Sequence, residues 1–183
     1  MASDFSIRHA AYIINNGGVI AYPTDTIYGL GCDPYNQEAV ERINLIKCRP
    51  HNKQFILLAG NIDQVKPLID ISDRQQENII RKTEPTSWIV KASKRAPAWL
   101  TDADNQLTIR ISKHPLVQKL CQRLGHALIS TSANISGRNP AKNSLQIHSY
   151  FHSSIDKILA TNKSLTARPS TIIRLNDNTI IRE

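Results

Sequence analysis

Apolar side chains recur at Ile7, Ala10, Ala11 and Ile14, a spacing that places them on one face of a helix. Asp4 or Ser6 can cap that helix, and Gly17-Gly18 stops it. VIAYPT (19–24) then reads as a strand. It feeds DTIYGLGCDPYN (25–36), which is rich in hydroxyls and glycine and too long for a hairpin connection, so an irregular turn segment is expected. Asn36 can cap a second helix in which Val40, Ile43 and Ile46 repeat at helical spacing, ending by Pro50. FILLA (55–59) reads as a short buried strand, followed by one or two helices to Lys82 with a break at Pro67. SWIVKA (87–92) and LTIRIS (107–112) read as strands on either side of a loop. PLVQKLCQRL (115–124) is an amphipathic helix with Gly125 behind it, and ALIST (127–131) is a strand opening into the polar loop SANISGRNPAKN (132–143). The tail STIIRLNDNTIIR (170–182) predicts a hairpin turning at Asn176-Asp177-Asn178.

Strands alternating with helices and finishing antiparallel predict an α/β fold with a mixed sheet. With 183 residues, no internal repeat and no low-complexity linker, a single domain over 1–183 is expected.

Composition narrows the class. Cys32, Cys48 and Cys121 are odd in number and form no CxxC pair, so neither a disulfide framework nor a zinc site is expected, and a reduced cytoplasmic setting fits. MASDFSIRHA is too polar for a signal peptide, and no apolar run is long enough to span a bilayer, so no membrane is expected as a partner. The net charge of +8 is unevenly distributed, because no Asp or Glu lies between Asp104 and Asp156. Arg110, Lys113, Lys119, Arg123, Arg138 and Lys142 fall there, a positive stretch that suits a polyanion as well as an ordinary basic surface. Aromatic content of 5% argues against base-stacking recognition and leaves backbone attraction to RNA open.

Three segments carry candidate chemistry. There is no GxxxxGK[ST] loop and no GxGxxG after a strand, so any nucleotide must be held by side-chain cations and polar loops. KCRPHNK (47–53) supplies Lys47, Arg49 and Lys53: a guanidinium fork and two mobile charges that can grip phosphate oxygens. The helix dipole alone also favours cations at a helix C-terminus, so the segment by itself fits either reading. PTDTIYGLG (23–31) follows a strand, where α/β folds place ligands, and offers Thr24, Thr26 and Tyr28 hydroxyls; a structural turn explains it equally. ISTSAN (129–134) presents Ser130, Thr131, Ser132 and Asn134 without a GxSxG elbow, which argues against a serine hydrolase.

Taken in order, PTDTIYGLG, Lys47-x-Arg49-Pro50, IRISKHPL, Ser132-Ala133-Asn134 with Ser136-Gly137, and RPSTII form an arrangement that resembles the YrdC/TsaC family, the threonylcarbamoyl-AMP synthases of tRNA modification. The match runs from about Gly18 to Arg182 and suits the short single-domain form. The resemblance implies a twisted open mixed sheet with flanking helices around a positively charged cavity. It implies that L-threonine, bicarbonate (or CO₂) and ATP yield threonylcarbamoyl-AMP and diphosphate. Partner proteins would transfer the threonylcarbamoyl group to adenosine 37 of tRNAs reading codons that start with A.

Carried onto matching positions, the resemblance implies that Lys47, Arg49, Lys53, Ser132 and Asn134 face ATP, with Lys47, Arg49, Ser132 and Asn134 as the catalytic set. It places Thr26, Arg110 and Ser130 around threonine, with Ser170 on the threonine side and Arg182 on the ATP side closing the site. Mg²⁺ is expected with ATP, held largely by phosphate oxygens. The chain departs from the family pattern in TEPTS (83–87), where Thr83 and Glu84 replace Pro and Gly, at Leu58, where many members have His, and at Gln106, often Ser or Thr. These changes permit a diverged paralogue. The main alternative is a non-catalytic YrdC-like module binding tRNA or double-stranded RNA. A YrdC-like domain of hydrogenase maturation, which would adenylate a different carbamate, is disfavoured by the lack of zinc-finger cysteines.

Overall fold

The computed structural model describes residues 2–49, 54–161, 165 and 169–182. Lys53 and the rest of 50–53 therefore lie outside the described residues. Helix α1 (Asp4–Asn15) buries Ile7, Ala10, Ala11 and Ile14, as the spacing predicts. Its cap is Ser3, whose hydroxyl accepts the Ser6 amide hydrogen, in place of Asp4 or Ser6 themselves. Asn36 does cap α2 (Gln37–Lys47), and Cys48 ends that helix in the left-handed region with φ 50°.

The largest departure is Tyr28–Gly31. This segment is strand β2, paired antiparallel with β1 (Ile20–Pro23) in a tight hairpin. Thr24 closes the turn: its hydroxyl donates to Ile27 O (2.7 Å) and accepts from the Thr26 and Ile27 amides (both 3.2 Å). Gly31 is required by crowding, since a Cβ there would lie 2.4 Å from Ile129 O and 2.8 Å from the Tyr22 ring. Glycine marks close approach within the sheet here, where it more often signals a loop.

The remaining elements among the described residues are β3 (Ile56–Ala59), α3 (Asp73–Arg81), β4 (Thr86–Lys91), β5 (Gln106–Ile111), α4 (Pro115–Leu124), β6 (Leu128–Ser132), α5 (Ser144–Phe151), β7 (Lys157–Ile158), β8 (Thr171–Arg174) and β9 (Ile180–Arg182), with short 3₁₀ turns at Ile62–Gln64, Lys66–Leu68, Ala98–Leu100 and His152–Ser154. Helix α5 and strand β7 are not anticipated from the pattern, because Ile147 and Phe151 are the only residues α5 buries.

Among the described residues the strands form one mixed sheet in the order β7-β1-β2-β6-β3-β5-β4-β8-β9. The β1/β7, β3/β5 and β4/β8 pairs are parallel and the others antiparallel. Strand alternation divides the core. Tyr28, Leu30, Leu57, Ile109 and Ile129 face the larger apolar cluster, while Ile20, Tyr22, Leu58 and Leu128 pack under α1 and α4 with Leu116, Val117 and Leu120. Leu58 is thus core, 1% exposed beneath those helices. Helices α1 and α4 cover only part of their face, and beyond them the same sheet face lines a cavity.

Candidate active site

The cavity, of about 390 Å³, is floored by alternate residues of adjacent strands: Gly29 of β2, Ser130 and Ser132 of β6, Ile56 of β3, and Thr108 and Arg110 of β5. Ile89 and Ile172 extend an apolar wall across β4 and β8. Thr26 in the β1–β2 turn, Arg49 just past α2, and Ser170 and Arg182 at the C-terminal hairpin form the rim. A volume of this size suits a small-molecule ligand.

Arg110 is 5% exposed, and a guanidinium so buried needs compensation. Its Nη1 donates to Thr26 Oγ1 (3.1 Å), and its Nη2 lies 2.6 Å from Asp25 Oδ1. The second contact is a close ion pair that is not aligned as a hydrogen bond. Arg110 Nε is buried without a hydrogen-bond partner among the described residues. Hydrogen-bonding capacity therefore remains for an incoming carboxylate.

Arg49 stacks its guanidinium 4.8 Å over the Phe55 ring, donates from Nη1 to Thr131 Oγ1 (2.6 Å) and from Nη2 to Gln54 O. Burial lowers its pKa from the ordinary arginine value, yet an arginine stays charged at neutral pH. Arg182 is likewise lowered, first by burial and then by the charge of Arg110. It donates from Nη2 to Ser170 O (2.8 Å), and Ser170 Oγ shares a 2.8 Å hydrogen bond with Ser87 Oγ. Three guanidinium groups from distant parts of the chain thus border one hollow, and Asp25 is the only carboxylate that pairs with any of them among the described residues. An anion entering that field relieves cation–cation repulsion.

Lys47, which the resemblance implies beside ATP, is the last residue of α2. It is 3% exposed and is not among the cavity-lining residues. Its ammonium donates to Ser132 O, to Asn134 O (2.7 Å) and to Asn134 Oδ1 (3.2 Å). Asn134 in turn accepts from Ser132 Oγ (2.5 Å) and donates to Arg138 O (2.7 Å), so it too braces the loop. Of the Lys-x-Arg and Ser-x-Asn pairs, Arg49 and Ser132 reach the cavity, and Lys47 and Asn134 hold the segment that carries Ser132. The four converge on one region.

Gln54 and Thr108 also line the cavity and are not singled out in the sequence, while Thr131, noted in ISTSAN but given no role, lines it as well. Thr108 is discoverable from the sequence, since position i−2 from Arg110 on a strand shares its face. Asp25 is not discoverable in this way, because its contact depends on a hairpin reaching across to β5. The acid-free stretch 105–155 contributes only Arg110 of the three cavity arginines. Elsewhere in it, Arg123 pairs with Asp4 (3.2 Å) and Arg138 lies 5.9 Å over Tyr150. No group of three or more potential metal-binding side chains occurs among the described residues, so this donor set does not form a protein cage for Mg²⁺. No helix among those residues is long and apolar enough to cross a membrane.

A family model described as Sua5_yciO_yrdC, Telomere recombination, matches residues 12–183. A protein of Pseudomonas aeruginosa named threonylcarbamoyl-AMP synthase is 40% identical over 184 residues, covering 100% of this chain and 99% of its own. A Coxiella burnetii protein of the same name is 42% identical over 169 residues, 91% of each chain. Among solved structures, E. coli YciO superposes with a TM-score of 0.86 at 28% identity, covering 97% of this chain and 88% of its own. P. abyssi Sua5 complexed with L-threonine superposes with a TM-score of 0.88 at 26% identity over 96% of this chain, which spans 52% of the Sua5 chain.

Proposed function

Because this chain belongs to the Sua5/YciO/YrdC family, we propose that it is a threonylcarbamoyl-AMP synthase, a nucleotidyltransferase that makes threonylcarbamoyl-AMP and diphosphate from L-threonine, bicarbonate and ATP. The observation that carries this reading is the convergence of Arg49, Arg110 and Arg182 on a single cavity. Threonine's amine condenses with bicarbonate, releasing water, to give a carbamate. A carbamate oxygen then attacks the α-phosphorus of ATP, and the bond to diphosphate breaks. Two anions must meet, and fixed guanidinium groups offset their repulsion and the charge developing on the leaving oxygens.

Arg110 takes the threonine carboxylate, with the Thr26 and Ser130 hydroxyls and Ser170 around the amino acid. Arg49, Ser132 and Arg182 face the nucleotide, and Lys47 with Asn134 fixes the β6 loop beside it. No protein nucleophile is needed; holding both substrates together removes much of the entropic barrier. Where Mg²⁺ accompanies ATP, the triphosphate oxygens would hold most of its coordination sphere and it would offset phosphate charge. The product serves N6-threonylcarbamoyladenosine formation at tRNA position 37, with partner proteins performing the transfer to RNA.

The test is mass-spectrometric detection of threonylcarbamoyl-AMP, with diphosphate release, after omitting threonine, bicarbonate or ATP in turn. Product is expected only in the complete mixture. Diphosphate release that ignores threonine and bicarbonate refutes the reading.

A further inference from the structure

Asp25 is a carboxylate to which the functional reading gives no role, and it is ion-paired with a cavity arginine. It sits in the β1–β2 turn between Thr24 and Thr26 and does not line the cavity. Its Oδ1 lies 2.6 Å from Arg110 Nη2 and accepts the Ser112 hydroxyl at 3.1 Å. Ser112 is fully buried and receives the His114 amide hydrogen at 3.1 Å, so the carboxylate is tethered to the end of β5 and the entry to α4. The Arg110 and Asp25 side chains are 6% and 18% exposed, which leaves little water to hydrate either charge.

Arginine carries several rotatable bonds, and an unpinned guanidinium in a 390 Å³ cavity can swing toward Arg49's or Arg182's ligands. Held at Nη2 by Asp25 and at Nη1 by Thr26, it presents its remaining donor capacity in one orientation. Asp25 is not among the cavity-lining residues, so its effect on a ligand is transmitted through Arg110. We propose that Asp25, seconded by Ser112, is a positioning residue that aims Arg110 at the carboxylate of the amino-acid substrate. This inference rests on the functional reading above and adds the element that sets affinity for one substrate and not the other.

The test is steady-state kinetics on Asp25→Ala, Asp25→Asn and Ser112→Ala, with threonine and ATP titrated separately and threonine binding followed by calorimetry without ATP. Asp25→Ala is expected to raise the threonine KM at least about tenfold while the ATP KM and the kcat at saturating threonine stay within about threefold, the pattern of lost ground-state positioning. Asp25→Asn, which keeps one acceptor oxygen for Ser112, falls between Asp25→Ala and the parent. Ser112→Ala shifts the threonine KM in the same direction by a smaller factor, and it decides the matter if Asp25→Ala does not fold. An unchanged threonine KM, or equal rises in both KM values, in folded variants of a productive parent overturns the inference alone. A parent chain that makes no threonylcarbamoyl-AMP overturns the functional reading and this inference with it.

Discussion

Replacing Lys47 by Met separates two roles for a cation that the family resemblance places beside ATP. The methionine keeps most of the buried volume and removes the ammonium, which donates to Ser132 O, Asn134 O and Asn134 Oδ1. Each charge-assisted hydrogen bond contributes about 1.5–3 kcal/mol. Burying an ammonium costs several kcal/mol and cancels part of that sum. The net loss is about 3 kcal/mol, mostly from oxygens deprived of their donor. For a chain of this size, ~1 kcal/mol corresponds to about 2–4 °C in Tm, so the variant melts about 6–12 °C lower. Turnover falls with it, because Ser132 loses the brace that holds its loop. Thermal melts and initial rates with ATP titrated are the assay. A variant with unchanged Tm and a raised ATP KM refutes the bracing role and returns the ammonium to the phosphates.

Four further outcomes follow from other parts of the molecule. Arg49→Ala keeps its fold and lowers turnover at least about tenfold, or ~1.4 kcal/mol of barrier, in a diphosphate-release assay. Gly31→Ala drives a methyl group into Ile129 O and the Tyr22 ring, so denaturant titration shows about 1–3 kcal/mol of lost stability; a near-normal midpoint refutes the crowding argument. Maleimide labels the exposed Cys48 rapidly, whereas Cys32 and Cys121 react only on unfolding; burial pushes the Cys121 thiol up to about 12 and Cys32 also well upward. For Asp156, burial alone raises the carboxyl pKa, but hydrogen bonds from Arg42 and the Val19 amide, with the Arg42 charge, outweigh it and hold the pKa below the ordinary 3.8. Its contribution is present above pH 3.8 and is lost as pH falls through the lowered folded value. Asp156→Asn therefore flattens the acid limb of a Tm–pH curve, and an unaltered limb refutes that linkage.

Much of the fold is legible because local signals agree with tertiary structure. The α1 stripe, the Asn36 cap, the Gly125 stop and the closing hairpin around Asp177 all read correctly from spacing and turn chemistry. YGLG does not, because Gly31 serves an interior strand whose neighbours press too close for a side chain there. Helix α5 is hidden by a weak stripe in which Leu145 stays 80% exposed. That Thr26, Arg49, Arg110, Ser130, Ser132, Ser170 and Arg182 gather at one cavity is a matter of geometry that local sequence does not carry. Nothing local distinguishes Arg49, which follows the left-handed turn at Cys48 and borders the cavity, from Lys47, the last residue of α2, whose ammonium bonds the end of β6 and its loop. Asp25 is overlooked for the same reason, since its partners Arg110 and Ser112 lie 85 and 87 positions away.

The central claim is that Arg110 and Arg49 hold an amino-acid carboxylate and a triphosphate within one hollow. A crystal structure with threonine and a non-hydrolysable ATP analogue measures this directly. The account predicts the threonine carboxylate on Arg110 and phosphate oxygens on Arg49, with the amine turned toward the α-phosphate. Ligands bound at separate surfaces, or both arginines left without ligand contact, contradict it.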